Sequence, residues 1–222
     1  AATTPVLFSS LSRLQNYREG FNAIFFKFQK LVGILVIPIG MGIFLSSDFI
    51  TRILLGDQWM EASHFIGVWG LTSAITVVLS HYSSEVYRSI GKPKLSVLSQ
   101  VLHIAALWPV VLIFVNKGFD TLCLARALVR FEGVLVNLII MGVVVKINIV
   151  KMLTNICPSL IASMAMLVIL VFPSTTNILF QLGYILLCSI TYFGILMLFP
   201  EERHICLMIS AQINPVSESR KV

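Results

Sequence analysis

Four residues of one predicted helix share a face, and three of them have charged or polar side chains. Arg126, Arg130, Gly133 and Asn137 follow one another at i, i+4, i+7 and i+11, a spacing that aligns them along an α-helix. The planar guanidinium fork suits phosphate oxygens because it can donate two hydrogen bonds at once. We interpret this face as a candidate binding surface for an anionic head group, with Arg126, Arg130 and Asn137 as its ligands. The structural alternative is that Arg126 reaches the outer surface while Arg130 pairs with an acidic residue of another helix.

Titratable side chains at two further places could bind a proton or a cation. Glu132 projects about 200° away from Arg130 at 3.6 residues per turn. A carboxylate inside a membrane can couple transport to an ion gradient, or it can partner a basic residue of another helix.

A second helical face carries His81, Glu85 and Arg88 at i, i+4 and i+7. Because histidine titrates near neutral pH, these three could form a gate or a proton relay. The alternative is an interfacial salt-bridge ladder that fixes the end of a helix.

The helices that position these residues are predicted from apolar runs along nearly the whole chain. The sequence is 57% hydrophobic and only 12% charged. Its uncharged runs are Leu31–Ser47, Ala62–Ser84, Leu95–Asn116, Gly133–Val145, Met152–Phe172 and Ser174–Pro200. A helix needs roughly 20 apolar residues to cross about 30 Å of hydrocarbon, and its backbone groups must be satisfied within the segment. We therefore predict an all-α, polytopic membrane protein with about six transmembrane helices.

The basic residues alternate between the two sides of this arrangement. Of the 16 lysines and arginines, twelve fall on one side: Arg13, Arg18, Lys27, Lys30, Arg88, Lys92, Lys94, Lys146, Lys151, Arg203, Arg220 and Lys221. The opposite links carry only Arg52 and Lys117. By the positive-inside rule we expect both ends of the segment to be cytoplasmic. The excess positive charge is thus explained by topology, and nucleic acid is not an expected partner.

Three regions are expected. Residues 1–30 read as the end of a preceding helix plus an amphipathic cytoplasmic segment, although Ser9–Lys30 could equally be a run-in to the first span. Residues 31–199 form the six-helix domain, and residues 200–222 form a cytoplasmic tail. Pro38 is a candidate hinge in the first span. The chain begins like the end of an apolar segment, so we expect it to be part of a longer protein.

No metal site, cofactor or catalytic centre is expected. The cysteines (Cys123, Cys157, Cys188 and Cys206) form no CxxC pair and have no histidine at ligand spacing, so they read as packing residues. No HExxH, GxSxG or glycine-rich phosphate loop is present. A membrane enzyme would need a substantial external loop with acid–base residues, and the longest one predicted is Asp48–Glu61. The chain is not expected to be an enzyme.

Four ordered segments resemble a known family. They are Pro5–Leu14 (PVLFSSLSRL), the proline-centred Ile37–Gly40 (IPIG), Leu54–Ala62 (LLGDQWMEA) and the turn Ile90–Leu95 (IGKPKL). In order and spacing they resemble the polysaccharide-transporter branch of the MOP flippases, a superfamily that also includes MATE drug exporters. The resemblance covers Pro5–Leu95 and falls to hydropathy alone beyond it.

This resemblance implies a Wzx-type flippase of the bacterial inner membrane. Such a protein translocates undecaprenyl-pyrophosphate-linked oligosaccharide units for surface polysaccharide such as lipopolysaccharide. It implies a two-bundle fold with a central cationic cavity, of which this chain would be the C-terminal portion, and partners among other polysaccharide-assembly membrane proteins. The resemblance does not identify any residue of this chain as a ligand of the substrate. The alternatives are a MATE-like multidrug exporter, disfavoured by Arg126 and Arg130, and a truncated, non-functional transporter remnant.

Overall fold

The computed structural model describes residues 3–168 and 178–213, and every regular element within them is helical. The α-helices are α1 (Thr3–Arg13), α2 (Arg18–Leu45), α3 (Ser47–Leu54), α4 (Ser63–Thr76), α5 (Ser83–Ser89), α6 (Lys94–Phe114), α7 (Phe119–Ile140), α8 (Ile149–Thr154), α9 (Cys157–Val168), α10 (Ile178–Leu196) and α11 (Pro200–Ile213). A 3-10 helix covers Asp57–Ala62, and π-helices cover Val77–His81 and Met141–Val145.

Six helical segments of the described residues are long and apolar enough to cross a membrane. They are Arg18–Leu45, Asp57–Ser89, Lys94–Phe114, Phe119–Val145, Ile149–Leu167 and Leu179–Leu196. The all-α class and the six candidate spans are therefore confirmed. The link between the last two apolar runs and the tail residues Arg220 and Lys221 lie outside the described part of the chain.

The first span is longer than its uncharged run. Helix α2 begins at Arg18 and continues without interruption through Pro38 to Leu45. Phe21, Phe25 and Phe26 in its first part are buried. The residues from Arg18 to Lys30 thus form one continuous helix with the first span, and these three phenylalanines pack inside the protein. Arg18–Lys30 is helical because it contains no proline and most of its residues are compatible with a helix.

Two segments expected to be irregular are helical. The predicted external loop Asp48–Glu61 contains most of α3 and of the 3-10 helix. The start of the predicted tail forms α11, which opens on Pro200 followed by Glu201 and Glu202. Proline at the first helical position and acidic residues in the first turn both favour helix initiation there.

The chain divides into two compact units, Ala1–Ile156 and Cys157–Val222. In the second unit α9 packs along α10, with Ala162, Ser163, Tyr192 and Leu196 fully buried.

In the first unit α2 packs on α4, α4 on α7, and α6 along α7, while α1 lies against α5 and α2. The contact of α2 with α4 is close, because a Cβ placed at Gly40 would overlap the methyl group of Ala74. Gly40 thus serves as a packing point between two spans. These packings bring α4, α5, α6 and α7 around one space.

The second span is not a regular α-helix throughout. Its middle is the π-helix Val77–His81, which links α4 to α5. A π-turn carries an extra residue and shifts the direction of the side chains that follow, and such turns occur often at functional sites. Here Ser80 and His81 both face the space between the helices.

Candidate functional site

A polar cavity of about 590 Å³ lies among the second, third and fourth spans, entirely within the first unit. Its lining consists mainly of hydroxyl, amide, imidazole and charged side chains: Ser73, Thr76, Val77, Ser80, His81, Ser83, Ser84, Glu85, Arg88, Ser99, Gln100, His103, Arg130, Gly133 and Asn137. Burying so many hydrogen-bonding groups between apolar helices is costly unless water or a polar ligand meets them. The cavity is therefore the candidate functional site.

Arg130 is held in this cavity by uncharged partners. Its Nη1 donates a hydrogen bond to Ser73 Oγ, and its Cζ lies 3.4 Å from the centroid of the Trp69 ring. Within the described residues no carboxylate lies at ion-pair distance from Arg130. The structural alternative, an ion pair with another helix, is thus not found in this part of the chain. Arg130 offers an uncompensated positive charge to an anion.

Arg126 does not line the cavity, although it lies on the same helical face. Its Cζ is 5.9 Å from the centroid of the Trp69 ring, so the two arginines share one aromatic side chain. Arg126 contributes positive potential near the cavity, and its placement gives it no direct contact with a ligand inside.

Asn137 is fixed by a hydrogen-bond cluster between the second and fourth spans. Its Nδ2 donates to Ser80 Oγ and to the Gly133 carbonyl oxygen, both at 2.9 Å. Its Oδ1 accepts from Ser83 Oγ at 2.9 Å and from the Tyr87 hydroxyl at 3.0 Å. Because both its oxygen and its amide nitrogen are engaged, Asn137 joins the two spans and is only secondarily available to a ligand.

The predicted group His81, Glu85 and Arg88 lies together on the cavity wall. Glu85 is buried and accepts a hydrogen bond from Arg88 Nη2, whereas the Arg88 side chain is 54% exposed. His81 stacks edge-on against its neighbour Tyr82, with ring centroids 5.3 Å apart. The ion pair agrees with a salt bridge near the helix end, and the cavity position leaves His81 and Arg88 accessible to a ligand.

Glu132 has a partner on another helix, as the alternative interpretation expected, although the sequence did not indicate which residue it is. Its Oε2 lies 3.1 Å from His103 Nδ1, so the pair joins the fourth span to the third. Gly133 makes this possible, because a Cβ there would lie 3.1 Å from His103 Nδ1 and crowd the imidazole. Glu132 itself does not line the cavity, whereas His103 does.

Most lining residues were not singled out from the sequence, yet a signal for them exists. Ser73, Thr76, Ser80 and Ser84 recur at intervals of three and four along the second span, which places the hydroxyls on one helical face. Ser99 and His103 repeat the spacing on the third span. A stripe of hydroxyls inside an apolar run predicts a wall that faces something other than lipid.

Two other expectations concern Pro38 and bound ions. Pro38 lies inside the continuous α2 and away from the cavity lining, so its role as a hinge stays a prediction. Among the described residues, no group of three or more histidine, cysteine, aspartate or glutamate side chains could hold a metal ion.

Comparison with known proteins gives one indication of relationship. Residues 1–64 match the model of a family described as "Polysaccharide biosynthesis protein". The matched residues include three of the four ordered motifs, Pro5–Leu14, Ile37–Gly40 and Leu54–Ala62, so this N-terminal part of the chain is similar to the family. A search of curated proteins and a search of solved structures found no match. The matched residues end at His64, before the first residue of the cavity lining.

Proposed function

We propose that the protein is a flippase for lipid-linked oligosaccharide in polysaccharide biosynthesis. Three observations support this: the family match, the six candidate spans, and a polar cavity with an arginine that lacks a carboxylate partner among the described residues. The last observation carries the most weight. A desolvated arginine is costly in a membrane and is expected to face a cavity or a ligand of opposite charge.

In this proposal the head group of the substrate enters the cavity while its isoprenoid chain stays in the lipid. Arg130 binds a pyrophosphate oxygen in place of water, and Ser73 and Trp69 hold the guanidinium in position. The hydroxyl, amide and imidazole groups of the lining exchange hydrogen bonds with the sugar hydroxyls. No bond is made or broken, so the protein acts as a transporter and not as an enzyme.

The proposed setting is the bacterial inner membrane, with both ends of the segment on the cytoplasmic side. The proposal takes this topology from the distribution of basic residues between alternate links. Other polysaccharide-assembly membrane proteins are the proposed partners, since the lipid-linked unit must be delivered on one side and consumed on the other.

The test is a deletion of the gene in its source organism. We expect lipid-linked oligosaccharide to accumulate in extracted membranes and surface polysaccharide to be lost. The wild-type gene should restore both, whereas Arg130→Ala at equal expression should not. Leu135→Ala serves as a matched control, because Leu135 lies on the same helix and is 59% exposed.

Normal amounts of lipid-linked oligosaccharide and of surface polymer in the deletion strain would contradict the proposal. Increased sensitivity of that strain to cationic drugs would instead favour the multidrug exporter. An unchanged phenotype in both assays would favour the transporter remnant.

A further inference from the structure

The two arginines that line the cavity are held at widely separated points along the second span. Ser73, which accepts the hydrogen bond from Arg130, and Arg88 belong to the same span and are 15 residues apart in sequence. At 1.5 Å per helical residue this corresponds to roughly 22 Å along the span, somewhat less through the π-turn. A diphosphate is two linked phosphate groups and is far shorter than this separation. One pyrophosphate group therefore cannot contact both arginines at once.

The cavity wall between the two arginines is polar, and its side chains carry no permanent charge. Thr76, Ser80 and Ser84 line it from the second span, with Ser99 and Gln100 facing them from the third. Among the described lining residues the one carboxylate is Glu85, which lies at the Arg88 end and is bonded to that arginine. An anion between the two ends meets hydrogen-bond donors and no repelling carboxylate.

Arg88 is held in place while most of its guanidinium stays accessible. Glu85, with a side chain only 7% exposed, accepts a hydrogen bond from one terminal nitrogen. On the other side, the ring of Phe8 from α1 lies with its centroid 5.9 Å from Arg88 Cζ. The side chain is nevertheless 54% exposed and lines the cavity. A buried carboxylate and an aromatic ring thus orient an arginine that retains free N–H donors.

From this geometry we propose that Arg88 is a second anion-binding position, separate from Arg130, and that the diphosphate of the substrate passes from one to the other along the hydroxyl-lined wall. On the predicted topology the Arg88 end faces the cytoplasm, so Arg88 receives the head group first. A single strong site would retain the anion, whereas two weaker positions joined by neutral donors allow entry and release. The identity of the head group rests on the proposed function, while the existence of two positions does not.

The test uses cysteine protection by inorganic pyrophosphate on the purified full chain. The four native cysteines are replaced, and single cysteines are introduced as Ser84→Cys, four residues from Arg88, or as Thr76→Cys, three residues from Ser73. We expect pyrophosphate to slow maleimide labelling at both positions. Arg88→Gln should raise the protecting concentration at least tenfold at position 84 and leave it unchanged at position 76. Arg130→Gln should produce the reverse pattern.

Two matched variants make the result specific. Arg88→Lys keeps the charge and should retain most of the protection at position 84. Lys92→Gln removes a neighbouring basic residue outside the cavity lining and should change neither position. Each variant is first shown to be monodisperse and thermally stable, so that unfolding is excluded as the cause of any loss of protection.

A single shared site would appear as loss of protection at both cysteines in either arginine variant, and this would overturn the proposal. Unchanged protection at position 84 in Arg88→Gln would overturn it as well. The labelling pattern could match two positions while the deletion strain accumulates no lipid-linked oligosaccharide. This combination would support the two anion positions and reject the flippase. The failures of the two proposals are thus distinguishable.

Discussion

The guanidinium carbon of Arg130 lies 3.4 Å from the centroid of the Trp69 ring, and this contact occupies the place where an ion pair would be expected. An aromatic ring attracts a cation through its quadrupole, worth about 0.5–2 kcal/mol depending on desolvation, without neutralising its charge. A carboxylate partner, such as Glu85 provides for Arg88, would have offset part of the positive field of Arg130 inside the cavity. The Arg130–Trp69 contact therefore stabilises the side chain and preserves its attraction for an anion.

Arg130→Gln is expected to weaken binding of inorganic pyrophosphate by about 10- to 100-fold, since a charge-assisted hydrogen bond contributes roughly 1.5–3 kcal/mol. Isothermal titration with the detergent-solubilised protein measures the dissociation constant of the Arg130 position, which is fitted separately from that of the Arg88 position. Arg126→Gln is the control, because Arg126 lies one turn away on α7 but does not line the cavity. We expect it to change the constant less than threefold. Equal losses in the two variants would show that general positive potential, and not the Arg130 site, binds the anion.

Asn137→Ala is expected to lower the free energy of unfolding by about 1–3 kcal/mol, because Ser80, Ser83 and Tyr87 each lose a hydrogen-bond partner in a partly buried place. Denaturant unfolding in mixed micelles, followed by tryptophan fluorescence, measures it. Leu135→Ala, at an exposed position of the same helix, should cost much less. Equal costs would mean that the cluster adds no stability beyond ordinary helix packing.

Gly40→Ala is expected to destabilise the contact between α2 and α4, because the new methyl group would overlap that of Ala74 and approach the Gly70 carbonyl oxygen at 3.1 Å. Overpacking of this kind costs about 1–3 kcal/mol. Gly42→Ala is the matched control, two residues further along α2 with nothing within 4 Å of the added Cβ. Thermal unfolding should separate the two variants. A Gly40→Ala protein as stable as Gly42→Ala would contradict the close packing of these helices.

Cys206 lies in α11, outside the candidate spans, and burial together with the negative charge of Glu202 raises the pKa of its thiol. A raised pKa keeps the thiol protonated to higher pH, so alkylation by iodoacetamide is expected to start at higher pH than for a free thiol. Glu202→Gln removes the repelling charge and should shift the rate profile toward lower pH. The profile is measured with Cys206 as the single cysteine of the chain. A shift toward higher pH would contradict this assignment.

The sequence was sufficient for the membrane class and for part of the cavity. The spacing of Arg130, Gly133 and Asn137 predicted a common face, and the structure places all three on the cavity wall. Arg126 shares that face but lies outside the lining, because the cavity wall involves only part of the helix. The residues that share a face follow from the periodicity of one helix. Which of them line a cavity depends on how far the neighbouring helices extend.

Contacts between helices could not be predicted from residue patterns within one helix. The pairing of His103 with Glu132 depends on the register of α6 against α7, which Gly133 allows by leaving room for the imidazole. The contact of Arg130 with Trp69 likewise requires the packing of α4 against α7. The hydroxyl stripe of the second span was visible in the sequence, however. Its period of three to four residues would have predicted the cavity wall that faces the fourth span.

The most direct test of the proposed flippase is translocation by the purified protein in liposomes. A fluorescent oligosaccharide linked to polyprenyl pyrophosphate is incorporated in both leaflets, and a membrane-impermeant reductant added outside bleaches the accessible fluorophore. We expect continued bleaching of the inner-leaflet pool with the wild-type protein and with Arg126→Gln, but not with Arg130→Ala. A wild-type rate equal to that of protein-free liposomes, with correctly folded protein in the membrane, would contradict it.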